Sequence, residues 1–95
     1  MVAYIIFNRL QTTDAAELAL YPPMVAPTLK DYDATKLVGG GQVKVLEGEA
    51  SEAVVILEFP SFEEAETWYN SPLYKKATIQ RLKGGKWHVM IVEGV

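Results

Sequence analysis

Three runs of this sequence carry apolar side chains at consecutive positions: Val2-Ala3-Tyr4-Ile5-Ile6-Phe7, Val54-Val55-Ile56-Leu57 and Val89-Met90-Ile91-Val92. Each is rich in β-branched or aromatic residues, and each predicts a strand. Successive side chains on a strand point to opposite faces, so a sheet with one wet face alternates apolar and polar residues. These runs do not alternate. Both faces of the sheet they build need cover, and this requirement restricts the fold more than any other feature of the chain.

The segments between the runs supply cover for one face. After Gln11-Thr12-Thr13-Asp14, read as a turn, Asp14 and Glu17 stand at capping-box spacing. Leu18, Tyr21, Val25, Leu29 and Tyr32 then step by three and four, as one face of a helix does. A proline inside a helix costs roughly 3 kcal/mol. Pro22, Pro23 and Pro27 therefore predict two helical pieces, the second starting at Pro22 or Pro23. Ala34 to Val38 reads as a strand broken by Gly39-Gly40-Gly41, and Gln42 to Leu46 as its continuation. No lysine-serine or lysine-threonine pair follows the glycines, so they do not form a phosphate loop. Glu47-Gly48-Glu49 reads as a turn before the strand that ends at Phe59.

The densest stretch runs from Glu58 to Tyr74. Pro60 marks a strand end, since it cannot donate to a ladder. Ser61 with Glu64 repeats the capping-box pattern, and Glu63, Glu64 and Glu66 lie near the positive end of the helix dipole. Phe62, Ala65 and Tyr69 are expected to face inward. At Asn70-Ser71-Pro72 the helix stops and restarts, with Ser71 as cap and Pro72 at the first helical position. The second segment passes Tyr74, Ala77 and Arg81 to Gly84-Gly85, and Lys83 to Lys86 reads as a turn before a strand over Trp87 to Val92.

The order strand, helix, strand, strand, helix, strand predicts an α+β, ferredoxin-like βαββαβ domain over residues 1–95: a four-stranded antiparallel sheet with helices on one face. Its other face stays apolar and uncovered, at a size rare on monomers. A second copy packed sheet to sheet is the expected cover, giving a twofold homodimer.

Composition narrows the function classes. With 95 residues, two cores do not fit. A net charge of −3 argues against a nucleic-acid partner. The absence of cysteine excludes disulfides, thiolate catalysis and cysteine-ligated zinc, and is compatible with a cytoplasmic protein. Met1-Val2-Ala3-Tyr4 lacks a basic signal-peptide start, and no apolar run reaches membrane-span length, so no membrane partner is expected.

Three segments together resemble a known family: Gly40-Gly41-Gln42-Val43-Lys44-Val45-Leu46-Glu47-Gly48, Glu58-Phe59-Pro60-Ser61, and Trp68-Tyr69-Asn70-Ser71-Pro72-Leu73-Tyr74, with Arg81 further on. On these the chain is similar to the small bacterial proteins grouped as domain of unknown function 1330 (DUF1330), within the dimeric α/β-barrel superfamily. The resemblance implies the same ferredoxin-like dimer and no particular reaction. The superfamily also includes haem-degrading and quinone-forming monooxygenases, muconolactone isomerases and stress-response barrel proteins. The chain departs from the family at Asp33-Ala34-Thr35-Lys36, where a glycine pair and a basic residue are common, and at Gly39, where an arginine often precedes the glycine pair. If that arginine holds an anion in the family, this chain would hold one less well.

Candidate site residues have a functional and a structural interpretation each. Glu58, buried at a strand end, would hold its proton more tightly and could act as a proton acceptor; it could equally accept backbone N–H groups or pair with Arg81. His88, the one histidine, suits general-base work but has no partner histidine for a metal site, and a strand-surface role competes. Arg81 could clamp a carboxylate bidentately or join an ion pair. Trp68, Tyr69 and Tyr74 could wall a flat ligand or simply pack. Asn8 could orient a carbonyl or end its strand. The expected function is that of a homodimeric small-molecule protein with a pocket between sheet and helices. It would act without a metal or cofactor, by proton transfer on, or cofactor-free oxidation of, an anionic or aromatic metabolite. In that scheme Glu58 is the base, Arg81 the anion clamp, and Trp68 and Tyr74 the walls. The alternative is a non-catalytic ligand-binding or stress-related dimer in which the same residues only pack.

Overall fold

The computed structural model describes residues 1–95. Four strands, β1 (Ala3–Thr12), β2 (Thr35–Gly39), β3 (Ala53–Phe59) and β4 (Gly85–Glu93), form one antiparallel sheet in the order β2-β3-β1-β4. Four helical segments, α1 (Ala15–Leu18), α2 (Pro22–Thr28), α3 (Phe62–Tyr69) and α4 (Pro72–Gly84), occupy the crossovers. This is the ferredoxin-like α+β arrangement expected from the element order, with each helix broken where proline demands it. No helix is long and apolar enough to cross a membrane.

The caps act where the sequence places them. Asp14, Ser61 and Ser71 accept from the backbone N–H three residues on, at 3.2, 3.1 and 3.3 Å. Pro22 and Pro72 open α2 and α4, where a missing N–H costs nothing.

Strand parity sorts the sheet. Ala3, Ile5 and Phe7 of β1 and Leu57 and Phe59 of β3 point to the helices and are buried. Ala65, Trp68, Tyr74 and Ala77 of α3 and α4 close over them. The intervening residues, Tyr4, Ile6, Val54, Ile56, Met90 and Val92, share the opposite face. No part of the chain covers that face, and Met90 and Val92 remain 41% and 42% exposed.

Four expectations are corrected. Gln42–Leu46 is not a strand. β2 ends at Gly39 and its ladder closes when the Gly40 N–H donates to the Val54 carbonyl at 2.9 Å. Gly40 then takes φ +81°, open to glycine, and turns the chain away from any strand that could pair with it. Strand β1 runs five residues beyond Phe7, because Gln11 and Thr12 pair with Lys86 and Gly85 past a bulge after Arg9. Lys83–Lys86 is not a turn: α4 runs straight into β4. Gly84 is there for closeness, since a Cβ on it would lie 2.6 Å from the Leu18 Cα, and its carbonyl accepts from the Thr13 and Asp14 N–H groups. Phe62 does not face inward but is 39% exposed; the buried stripe of α3 is Ala65 and Trp68.

Candidate functional site

Helices α3 and α4 pack on the sheet, but α1 and α2 do not seal it. They are four and seven residues long, set apart by the Pro22 break, and lean chiefly on α4. The sheet surface beneath them stays partly open. A cavity of about 540 Å³ results, bounded below by β1, β2 and β3 and above by α1 and α2. Its wall is mostly apolar, with Val25, Val55 and Trp87 among the lining side chains, and Tyr21 in the helical wall. Two lining residues are cationic, Arg9 and Lys36, and none is acidic. Arg9 Nε donates to Glu52 at 3.1 Å, outside the lining. The Thr12 hydroxyl also donates to Glu52, at 2.6 Å, and it is chiefly this bond, then Arg9, that holds the Glu52 carboxyl below its ordinary range. Lys36 has no acidic partner.

Behind the Phe7 and Trp87 wall lies Arg81, only 2% exposed. Its guanidinium carbon sits 5.8 Å from the Phe7 ring and 5.3 Å from the Trp87 ring, within cation–π range. Nη2 donates to the Tyr69 hydroxyl at 3.2 Å, and Nε has no partner. The only ion pair in the chain is Arg9–Glu52, so Arg81 is a buried cation without a carboxylate. A charge removed from water is normally paired, because its desolvation is expensive.

Next to Arg81 is a pair of phenols. The Tyr21 and Tyr74 hydroxyl oxygens are 2.6 Å apart. Burial is the main cause that raises both above the ordinary tyrosine value; for Tyr74 the Tyr21 hydroxyl and the Arg81 guanidinium act the other way. Both stay neutral at physiological pH.

The residues singled out from sequence divide between the two faces. Arg81, Tyr74, Trp68 and Tyr69 stand on the helix side. Trp68 and Tyr74 are fully buried, with ring centroids 4.0 Å apart, and Trp68 Nε1 donates to the Thr28 hydroxyl at 3.0 Å. They fill the core beside the cavity and are not among its lining residues. Tyr69 is half-buried, with Lys75 Nζ 4.1 Å from its ring. Glu58, His88 and Asn8 stand on the other face. Leu57 and Phe59 point inward, so Glu58 between them points outward, opposite Tyr4 and Thr35. Glu58 and Arg81 therefore do not meet within the chain. His88 is exposed and lies directly across from Asn8, whose side-chain oxygen accepts from Ser51. Tyr4 and Asn8 are four strand residues apart, about 13 Å, so Glu58 is far from the Asn8–His88 end.

The cavity residues missed from sequence are Tyr21, Trp87, Lys36 and Arg9. Tyr21 and Val25 belong to the apolar stripe visible in α1 and α2, which reads equally well as core.

Residues 2–95 match the family described as "Domain of unknown function (DUF1330)". No curated protein matches the sequence. Among solved structures, a protein of unknown function from Rhodopseudomonas palustris superposes with TM-score 0.73 at 18% identity, over 99% of this chain and 82% of that one. SnoaB, a cofactor-independent oxygenase from Streptomyces nogalater, superposes with TM-score 0.63 at 10% identity, over 99% and 92%. A dimeric protein of unknown function and ferredoxin-like fold from Bacteroides fragilis gives TM-score 0.63 at 12% identity, over 98% and 96%. At these identities the likeness is one of fold.

Proposed function

We propose that this chain, which belongs to the DUF1330 family of domains of unknown function, is a homodimeric small-molecule protein with one ligand cavity per subunit. The ligand is a flat, largely apolar molecule with an anionic group. The observation that carries this is the charge balance of the cavity: an apolar wall with two cationic and no acidic lining residues, backed by a buried arginine with no carboxylate partner. An entering anion supplies the missing counter-charge.

Two observations support the dimer. The face bearing Tyr4, Ile6, Val54, Ile56, Met90 and Val92 is an apolar patch without cover in the chain. A protein of similar fold is described as dimeric. Cofactor-free oxidation is the chemistry that one fold neighbour performs, and it asks of the protein chiefly a dry, shaped pocket. Proton transfer by Glu58 at this cavity is disfavoured, since Glu58 faces away from it. The solid packing of Trp68 against Tyr74 favours a second interpretation, a non-catalytic ligand-binding or stress-related dimer.

Native mass spectrometry combined with titration of 2-naphthoate tests the proposal. The expected result is a dimer mass and saturable binding of one 2-naphthoate per subunit, weakened when Lys36→Gln removes the unpaired lining cation. A monomer at micromolar concentration removes the assembly. Absence of binding, or equal binding by the Lys36→Gln variant and by naphthalene, removes the anionic ligand.

A further inference from the structure

The sheet face away from the helices carries a charge pattern as well as an apolar one. Its centre is Ile6, paired with Ile56 on β3 and Met90 on β4. Two residues along β1 in one direction, Tyr4 is flanked by Glu58 on β3 and Val92 on β4; two residues the other way, Asn8 is flanked by Val54 on β3 and His88 on β4. Glu58 and His88 therefore occupy opposite corners of the patch, each about 8 Å from Ile6, and the two valines occupy the other corners. Neither Glu58 nor His88 has an ion-pair partner in the chain. The remaining ionisable side chains of the strands on this face are Tyr4, next to Glu58, and Lys86, one pleat beyond His88. β2 brings Thr35 beside Glu58, and the loop before β3 brings Ser51 to Asn8.

Consider a second copy laid on this face about a twofold axis through Ile6. An axis along the strands sets Glu58 over the partner subunit's Val92, and an axis across them sets it over the partner subunit's Val54. Either way a carboxylate enters an apolar contact without a counter-charge, which is costly. An axis along the Glu58–His88 diagonal sets Glu58 against the partner subunit's Glu58, a like charge. An axis along the Val54–Val92 diagonal sets Glu58 beside the partner subunit's His88, and symmetry makes the contact twice. That axis also crosses the two sets of strands near a right angle, one of the two ways in which sheets stack face to face.

We propose that a second copy covers this face in the crossed orientation, and that Glu58 of each subunit pairs with His88 of the partner subunit. This rests on the homodimer proposed above and specifies its geometry. Glu58 cannot leave the face, because Leu57 and Phe59 fix its parity, so complementary charge selects the orientation while the apolar centre supplies the contact. The carboxylate favours the imidazolium, so the pair is strongest below the ordinary histidine value of about 6.5 and weakens as pH rises past the value reached in the dimer.

Sedimentation equilibrium of the full chain reads the pairing. The wild-type dimer should dissociate roughly ten-fold more readily at pH 8 than at pH 6, the worth of two partly exposed ion pairs, and His88→Gln should abolish that dependence. Glu58→Lys and His88→Glu should each weaken the dimer, and the double variant, with the charges exchanged, should regain affinity over either single one. Cross-linking gives a second readout, since the chain has no cysteine. With a short bismaleimide, Glu58→Cys combined with His88→Cys should yield a covalent dimer, and Glu58→Cys alone should not. A monomeric wild type at micromolar concentration removes the homodimer and this inference with it. A dimeric wild type in which the two single losses simply add, or in which Glu58→Cys cross-links by itself, overturns the crossed pairing alone and leaves the homodimer standing.

Discussion

Filling the cavity from its floor separates an open space from a site that only looks open. Val55 lines the cavity, faces the helices, and lies between Phe7 on one neighbouring strand and Gly39 on the other. Gly39 has no side chain, and only the flexible Lys36 side chain lies over it, its Cε 3.3 Å from where a Cβ would stand, so a phenyl ring at position 55 can lie across Gly39 once Lys36 swings aside, and aromatic residues suit strands. Val55→Phe adds four carbons. At about 0.8 kcal/mol for each carbon buried, the ceiling is roughly 3 kcal/mol. Val55 is only partly buried, so about half of that is available, and ordering the longer side chain removes several tenths more. The expected gain is about 1 kcal/mol, a rise in Tm of about 4–8 °C for a chain of this length. Calorimetry reads the gain, and 2-naphthoate titration of the same variant should show weakened binding. A drop of about 1–3 kcal/mol, the signature of an overpacked core, refutes the cavity as a space available to a ligand.

Gly84→Ala should destabilise the protein by about 1–3 kcal/mol in urea denaturation, since the added methyl meets the Leu18 backbone at 2.6 Å. Helix propensity alone would stabilise that variant by up to about 1 kcal/mol, so a gain would refute the close-approach role. Stability should fall above about pH 10: the unfolded chain releases its phenol protons there while folded Tyr21 and Tyr74, raised by burial, retain theirs. The stabilisation is complete below that pH, and the alkaline slope measured by chemical denaturation should become shallower in Tyr21→Phe. Ile56→Asp, on the face away from the cavity, should shift sedimentation toward monomer and leave 2-naphthoate binding in place. Unchanged dimer mass would show that this face is not the interface.

Much of the fold was legible because local signals agreed with one another. Asp14, Ser61 and Ser71 each stand three residues before the N–H they cap, and Pro22 and Pro72 each open a helix. Non-alternating strands announced two apolar faces. The errors have one cause, a residue type whose two physical roles look alike in sequence. Gly84-Gly85 resembles a turn, but Gly84 is required by the approach of α1, a contact between residues far apart in the chain. Gln42–Leu46 alternates as strands do, but a strand needs a neighbour, and none is present within the chain. Glu58 beside Arg81 was an expectation from residue chemistry that strand parity overrules: Leu57 and Phe59 are both apolar, so Glu58 between them takes the other side.

The cavity was illegible for a different reason. A pattern reports which side chains turn inward, and Tyr21, Val25 and Leu29 pack toward the core while Leu18 lines the cavity; whether they reach the sheet depends on how long and how continuous their helix is. The break before Pro22 and Pro23 divides it into pieces of four and seven residues, too short to lie along a seven-residue β3 and close it off. A longer, unbroken helix would bury the same stripe and add apolar contact, so the open floor forfeits stability. The second crossover shows that the chain can seal its sheet, since α3 and α4 bury Trp68 and Tyr74 completely with one capped break between them. Tightly packed on one half and held apart by prolines on the other, the helical layer leaves its space in front of the Phe7 and Trp87 side chains, behind which Arg81 lies buried without a carboxylate.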